Sequence, residues 1–179
     1  VYAHGVHGNQ QYLILERIEK GNRDQTYWER IASGLANMHR TTNENYGWKE
    51  DNYIGRLNQK NDFYSTWTEF FIHCRMAPLV ESAFNKQLLK SEHLRKFDGL
   101  YKELDAIFPQ EEPALVHGDL WGGNLMDGLI DPAVYFGHRE MDLAMTKMFG
   151  GFISNFIELY HEKFPLEKGI EERIPVYNL

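Results

Sequence analysis

Between Leu115 and Pro132 the chain gathers four polar side chains, His117, Asp119, Asn124 and Asp131, bracketed by the apolar pairs Leu115-Val116 and Leu129-Ile130. Phosphoryl transfer from ATP needs a carboxylate that orients or deprotonates an attacking hydroxyl, and oxygen ligands that hold magnesium against phosphates. Asp119, Asn124 and Asp131 are groups of those types. Taken singly each has a plainer reading: aspartates cap local backbone in turns, and Asn124 and Gly122-Gly123 are ordinary turn residues. Only the combination and its spacing read as a site. His117-x-Asp119 also has the form of a hydrolase metal pair, but no second histidine cluster at ligand spacing accompanies it.

The elements that must position this unit are mostly helical. Trp28, Ile31, Ala32, Leu35 and Met38 recur at helical spacing across Gln25 to Arg40, with Asp24 placed as an N-cap. A second helical stretch carries Trp67, Phe70, Phe71, Cys74 and Met76 on one side, and Pro78 is expected to kink it. Leu94, Phe97, Leu100, Tyr101, Leu104 and Ile107 form a stripe from Ser91 to Phe108, which Pro109 ends. Helical patterns return from Glu140 to Met148 and from Phe152 to Lys163. Gln11 to Glu16 reads as an edge of sheet followed by a connector, and Thr41 to Asn61 as an aromatic ordered loop with no sustained period. No repeat or long linker divides the chain, so one mainly helical domain with a small β element is expected.

With 179 residues, 42% of them hydrophobic and 14% aromatic, the chain is able to bury a core. Its 19 Lys and Arg stand against 26 Asp and Glu, for a net charge of −7. That balance leaves no basic surplus for a nucleic-acid backbone, and no nucleic-acid partner is expected. Apolar runs such as Leu13-Ile14-Leu15 are far shorter than the roughly 20 residues that span a bilayer, so no membrane association is expected either. Cys74 is the only cysteine, which excludes an internal disulfide and a multi-thiolate zinc site and fits a reducing, cytoplasmic setting. The chain starts at Val1, without a signal-peptide pattern and without Met, and residues upstream are expected.

The step of five from Asp119 to Asn124 matches the aspartate-to-asparagine step of the kinase catalytic loop, and a carboxylate follows after a short hairpin as in the kinase metal-binding loop. The segments LVHGDLWGGN, LIDPAVYFGHRE and DLAMTKMFGGF, in that order, resemble the fructosamine or ketosamine kinase family, a branch of the aminoglycoside-phosphotransferase-like kinases. NYIG, the Gln59 to Asn61 segment and Trp67-x-x-Phe70-Phe71-x-x-x-Arg75 are similar to that family's substrate-side helical region, so the resemblance covers most of the chain. Trp121 in DLWGGN and the FGH after DPA point to the ketosamine branch.

The resemblance implies an α+β, protein-kinase-like fold. Residues 1–20 would be the end of an N-terminal-lobe sheet and the hinge, and residues 21–179 a mostly helical C-terminal lobe with a short β hairpin at the catalytic and metal loops. It implies ATP and Mg2+ as cofactors and, as acceptor, a small-molecule ketosamine or a glycated protein lysine. By matching position, Asp119 resembles the base that takes the sugar hydroxyl proton, and Asn124 and Asp131 resemble the magnesium ligands. His117 and Asp142 resemble supports of the catalytic loop, and Glu16, Arg17 and Ile18 the hinge whose backbone holds adenine.

Two departures stand beside it. Six residues, Leu125 to Ile130, separate Asn124 from Asp131, where the family's hairpin is usually longer by several. The phosphate-covering loop, strand lysine and helix glutamate of an N-terminal lobe are not found before Val1, so the chain alone is expected to turn over ATP poorly. Trp121 reads equally as a core aromatic or as a face for the sugar. His138 and Glu140 read equally as substrate contacts or as surface ion pairs. Tyr53, Trp67, Phe70 and Phe71 read as core, and Gln110 to Glu112 as a solvated loop. The rival functions are a kinase of the same fold acting on an aminoglycoside, choline or homoserine, a noncatalytic binding module, and a metal-dependent hydrolase.

Overall fold

The structure, a computed structural model, describes residues 1–179. The chain opens with an exposed antiparallel hairpin, β1 (Ala3–His7) with β2 (Gln10–Ile14), and an irregular connector leads to helix α1 (Gln25–His39). Asp24 caps α1: its Oδ1 accepts from the Tyr27 N–H at 2.9 Å, a bond whose loss costs about 1 kcal/mol. The buried face of α1, with Trp28, Ile31, Ala32 and Leu35, packs against α6 (Phe156–Lys163) and against the strand β5 (Ala114–Val116). Fully burying a side chain of the size of Leu35 contributes about 1.5–3 kcal/mol.

The region from Thr41 to Asn61 is more regular than its sequence indicates. It holds a tight hairpin, β3 (Asn52–Ile54) with β4 (Leu57–Gln59), whose turn places Gly55 at φ +56°. The hairpin is too short to show a period, and its ends are fixed from outside: Asn52 Nδ2 donates to Val134 O at 2.8 Å and Gln59 Nε2 to Ala133 O at 3.1 Å. Tyr53, on this hairpin, is 67% exposed and not part of the core.

At Pro78 the expected interruption takes another form. Helix α2 (Trp67–Phe70) passes into a π-helical stretch, Phe71–Met76, and then into α3 (Ala77–Asn85), with Pro78 in its first turn. The wider turn moves the ladder register so that the missing proline N–H falls at a helix start, where no donor is needed. The Cys74 carbonyl, which an α-helix would bond to residue 78, instead accepts from Arg75 Nη1 at 2.9 Å. Arg75 also lies over the Tyr135 ring, 4.0 Å from its centroid, and joins this stretch to β6 (Tyr135–Gly137).

Helix α4 (Ser91–Ile107) precedes β5, which pairs antiparallel with β6 in the register Leu115 opposite Phe136. Helix α5 (Glu140–Met148) follows, then α6, which begins at Phe156 and not at Phe152, and a last helix, α7 (Ile170–Tyr177), packed on α5. The core runs through Trp67, Phe70 and Phe71 to Leu104, Val116, Leu120, Tyr135, Leu143 and Tyr160. No helix is long and apolar enough to cross a membrane.

Candidate active site

The loop that carries Asp119 leaves β5 at His117 and turns at Gly118, whose φ is +78°. Glycine is needed there twice over, because an ideal Cβ would also lie 2.1 Å from the Ala133 carbonyl oxygen. The turn is held from below by Asp142, buried on α5: one carboxylate oxygen accepts the His117 N–H at 2.7 Å and the other the Gly118 N–H at 2.9 Å. His117 itself spans the loop. Its Nε2 faces the Ile130 carbonyl at 3.0 Å and so carries the proton, which leaves Nδ1 to accept the Asp119 N–H at 3.3 Å. With both ring nitrogens engaged this way, His117 and Asp119 do not form a hydrolase-type metal pair.

Asn124 closes the constellation. It ends a 3₁₀ turn, Gly122–Asn124, and its Nδ2 donates to the Asp119 backbone O at 2.9 Å and to Asp119 Oδ2 at 3.0 Å. It also lies 3.4 Å from the Asp131 carbonyl. Asp131 is exposed at φ +53°, a conformation that aspartate tolerates better than most residues. Asp119 is half-buried, and it lines a pocket of about 410 Å³ whose walls include Ile54, Leu79, Met141, Met145 and Phe149. Asp119 and Asn124 thus meet side chain to side chain, Asp131 joins them through its backbone carbonyl, and His117 and Asp142 lie beneath the loop.

Magnesium takes oxygen donors, keeps several waters, and uses one or two protein carboxylates together with substrate phosphates. The exposed Asp131 carboxylate and the Asn124 amide oxygen, which accepts no hydrogen bond from the protein, are donors of the type that magnesium takes. Three or more His, Cys, Asp or Glu side chains converge nowhere in the chain.

Other expected residues lie elsewhere. Glu16, Arg17 and Ile18 follow β2 in an exposed irregular segment, where Arg17 pairs with Glu19 at 3.0 Å, and they make no hydrogen bond to the Asp119 loop. Trp121 is 41% exposed, folded back over Gly123 and edge-to-face with Phe149 at 6.4 Å, so it is not a core aromatic. His138, expected as a substrate contact or a surface ion pair, is not at the surface. It is 0% exposed, with its ring 5.9 Å from those of both Trp67 and Tyr177, and burial pushes its pKa down. A side chain so enclosed has no path to a substrate. Glu140 is likewise buried, in an ion pair with Arg173 at 2.7 Å, and Glu111 of the expected solvated loop takes both Nε and Nη2 of Arg139 at 2.7 Å. Burial alone would raise the Glu111 pKa, but the Arg139 hydrogen bonds and the nearby His138 outweigh it and hold it below its ordinary value.

Residues that the motif does not reveal complete the support. His39, buried at the end of α1, has Nε2 3.0 Å from Asp142 Oδ2 and Nδ1 2.8 Å from the Tyr160 hydroxyl. It therefore donates to the carboxylate and accepts from tyrosine. The signal was available in the helix register, since His39 continues the buried series Trp28, Ala32, Leu35.

The fructosamine kinase family model matches residues 1–179. A relative from Enterococcus faecium named a probable ketoamine kinase is 38% identical over 99% of this chain and 66% of its own length. The ketosamine-3-kinase of Mus musculus is 34% identical over 93% of this chain and 56% of its own length. A crystal structure from Thermobifida fusca, of a protein assigned to the fructosamine-3-kinases, superposes with a TM-score of 0.85 at 36% identity, covering 91% of this chain and 59% of that one. The chain thus spans about two thirds or less of the relatives it matches.

Proposed function

The chain belongs to the fructosamine kinase family, and on that premise we propose that it forms the acceptor-side catalytic lobe of an enzyme that moves the γ-phosphoryl group of MgATP to a sugar hydroxyl of a ketosamine. In this reading residues 21–179 are the C-terminal lobe, and residues 1–20 are the end of the N-terminal sheet and its hinge, where the Glu16 to Ile18 backbone meets adenine. The acceptor is free or attached to a protein lysine, which makes the reaction a step in deglycation.

One observation carries the reading. Asn124 holds Asp119 Oδ2 at 3.0 Å while Asp142 and His117 fix the loop beneath it, so the other carboxylate oxygen is directed by a rigid support and not by a mobile loop. Asp119 orients the acceptor hydroxyl and takes its proton as the oxygen bonds to the γ-phosphorus and the bond to the ADP oxygen breaks. Magnesium held by Asn124 and Asp131 would supply charge neutralisation at the phosphates. The exposed face of Trp121 is available to the apolar face of the sugar.

The test is magnesium-dependent ADP release by the full-length protein with a synthetic fructosamine, an aminoglycoside or no acceptor, repeated with Asp119→Asn. Fructosamine-dependent turnover that falls about 10²-fold or more in the variant, with nucleotide still bound, is the expected result. Turnover with the aminoglycoside alone overturns the acceptor assignment, and nucleotide binding without turnover on any acceptor overturns the enzyme.

A further inference from the structure

The hairpin between Asn124 and Asp131 is tied to α1 and to Arg23 just before it, along an edge that the proposed reaction does not use. Three successive carbonyl oxygens at its tip accept from three different side chains. Leu125 O accepts from Arg23 Nη2 at 3.1 Å, Met126 O from the Tyr27 hydroxyl at 2.7 Å, and Asp127 O from Arg30 Nη1 at 2.8 Å. Arg30 also pairs with the Asp127 carboxylate, and Arg23 Nη1 reaches Gly151 O at 3.2 Å. Gly21, in the connector before α1, approaches the same carboxylate so closely that a Cβ would lie 2.7 Å from Asp127 Oδ1.

The hairpin's own bonds are few: a bridge between Leu125 and Leu129, Met126 N–H to Gly128 O at 2.9 Å, and Ile130 N–H to Asn124 O at 3.0 Å. With so little internal pairing, donors on three consecutive carbonyls fix the backbone path of the tip, and with it the placement of Asp131 relative to Asn124. An exposed Arg30–Asp127 pair alone is worth little. The two carbonyl bonds beside it, one of them from the buried Tyr27, are what makes the arrangement a clamp.

We infer that Arg23, Tyr27 and Arg30 are positioning residues that set the geometry of the magnesium ligands Asn124 and Asp131, and that Gly21 and Asp127 couple this hairpin to the connector following the hinge. The inference rests on the function proposed above. None of the three side chains touches substrate. They act through the hairpin backbone, as outer-shell partners orient metal ligands.

The experiment compares wild type with Tyr27→Phe, Arg30→Ala and Arg30→Lys by two readouts that need no turnover. These are hydrogen exchange at the Met126 and Ile130 amides, and Mn2+ titration in the presence of a nonhydrolysable ATP analogue, followed by the paramagnetic signal of the ion. Tyr27→Phe keeps the buried ring and removes one donor, so it reports even if Arg30→Ala folds poorly. Faster exchange at both amides together with Mn2+ binding about three- to tenfold weaker is expected, with Arg30→Lys intermediate. Faster exchange with unchanged Mn2+ affinity makes the clamp merely structural and overturns the inference, as does unchanged exchange. If wild type binds no Mn2+ with the analogue, the proposed function fails and this inference with it. Unchanged affinity in variants of a protein that does bind overturns the inference alone.

Discussion

Replacing Gly118 with alanine tests the support of the catalytic loop at its tightest point. The new Cβ would lie 2.1 Å from the Ala133 oxygen and 2.9 Å from its carbonyl carbon, both backbone atoms that cannot rotate away. Contacts of that kind stay near 3 Å or longer, so the loop and the strand lead-in must part by roughly 1 Å. The left-handed φ of +78° adds about 1–2 kcal/mol for any residue with a Cβ, and overpacking adds about 1–3 kcal/mol. The sum, about 2–5 kcal/mol, corresponds to a melting temperature lower by about 4–20 °C for a chain of this size. The same separation strains the His117 O to Ala133 N–H bond of 2.8 Å and moves Asp119. A displacement of that size costs about 10²-fold in kcat. Thermal unfolding followed by circular dichroism and ADP release with fructosamine are the assays. A variant that melts within about 2 °C of wild type and retains kcat within about threefold would refute the reasoning, because the clash and the φ penalty would both have to be absorbed without consequence.

Asp142→Asn turns one of two accepting oxygens into a donor, so at least one of the His117 N–H, Gly118 N–H and His39 Nε2–H loses its acceptor. A loss of about 2–4 kcal/mol of stability is expected from charge-assisted bonds at a buried site, read by denaturant unfolding, and a variant as stable as wild type would sink the assignment of Asp142 as the anchor. Acid sensitivity should begin with His138. Its folded pKa lies below the ordinary 6.5, so the unfolded chain binds the extra proton first and stability falls as pH drops below about 6.5. Glu111, held below its ordinary 4.5, contributes stability that is present above that value and is lost as pH falls through its folded pKa. His138→Phe should flatten the loss between pH 6.5 and 4.5, and a wild-type unfolding free energy that does not change between those two values would contradict the burial argument.

What the sequence revealed was whatever a local pattern specifies. Asp24 was legible as a cap because one side chain and one N–H three residues away make the whole interaction, and the helices at Gln25, Ser91 and Glu140 were legible because an apolar stripe needs only its own spacing. The loop from His117 to Asp131 was legible for the same reason. His117, Asp119 and Asn124 meet within a single turn-and-hairpin that also brings in the Asp131 backbone, so the distances follow from the number of residues between them.

The illegible features all depend on a partner remote in sequence. Glu111 reads as part of a solvated acidic run until Arg139, brought in by the β5–β6 pairing, takes both of its oxygens. His138 has ordinary neighbours in sequence, and only the meeting of Trp67 with Tyr177 encloses it. The β3–β4 hairpin is too short for a period and is anchored by carbonyls 74 and 82 residues away. The contacts of Arg23, Tyr27 and Arg30 with residues 125 to 127 span about a hundred positions of the chain, and nothing in the helical stripe of α1 distinguishes those side chains from ordinary surface and core. This division follows from the chemistry. In the proposed reaction the reacting groups act on one small volume and are kept close along the chain, whereas the proposed supports are groups that only the fold brings near. Substitutions inside the motif should therefore change rate, and those in its remote supports should first change metal affinity, exchange and acid stability.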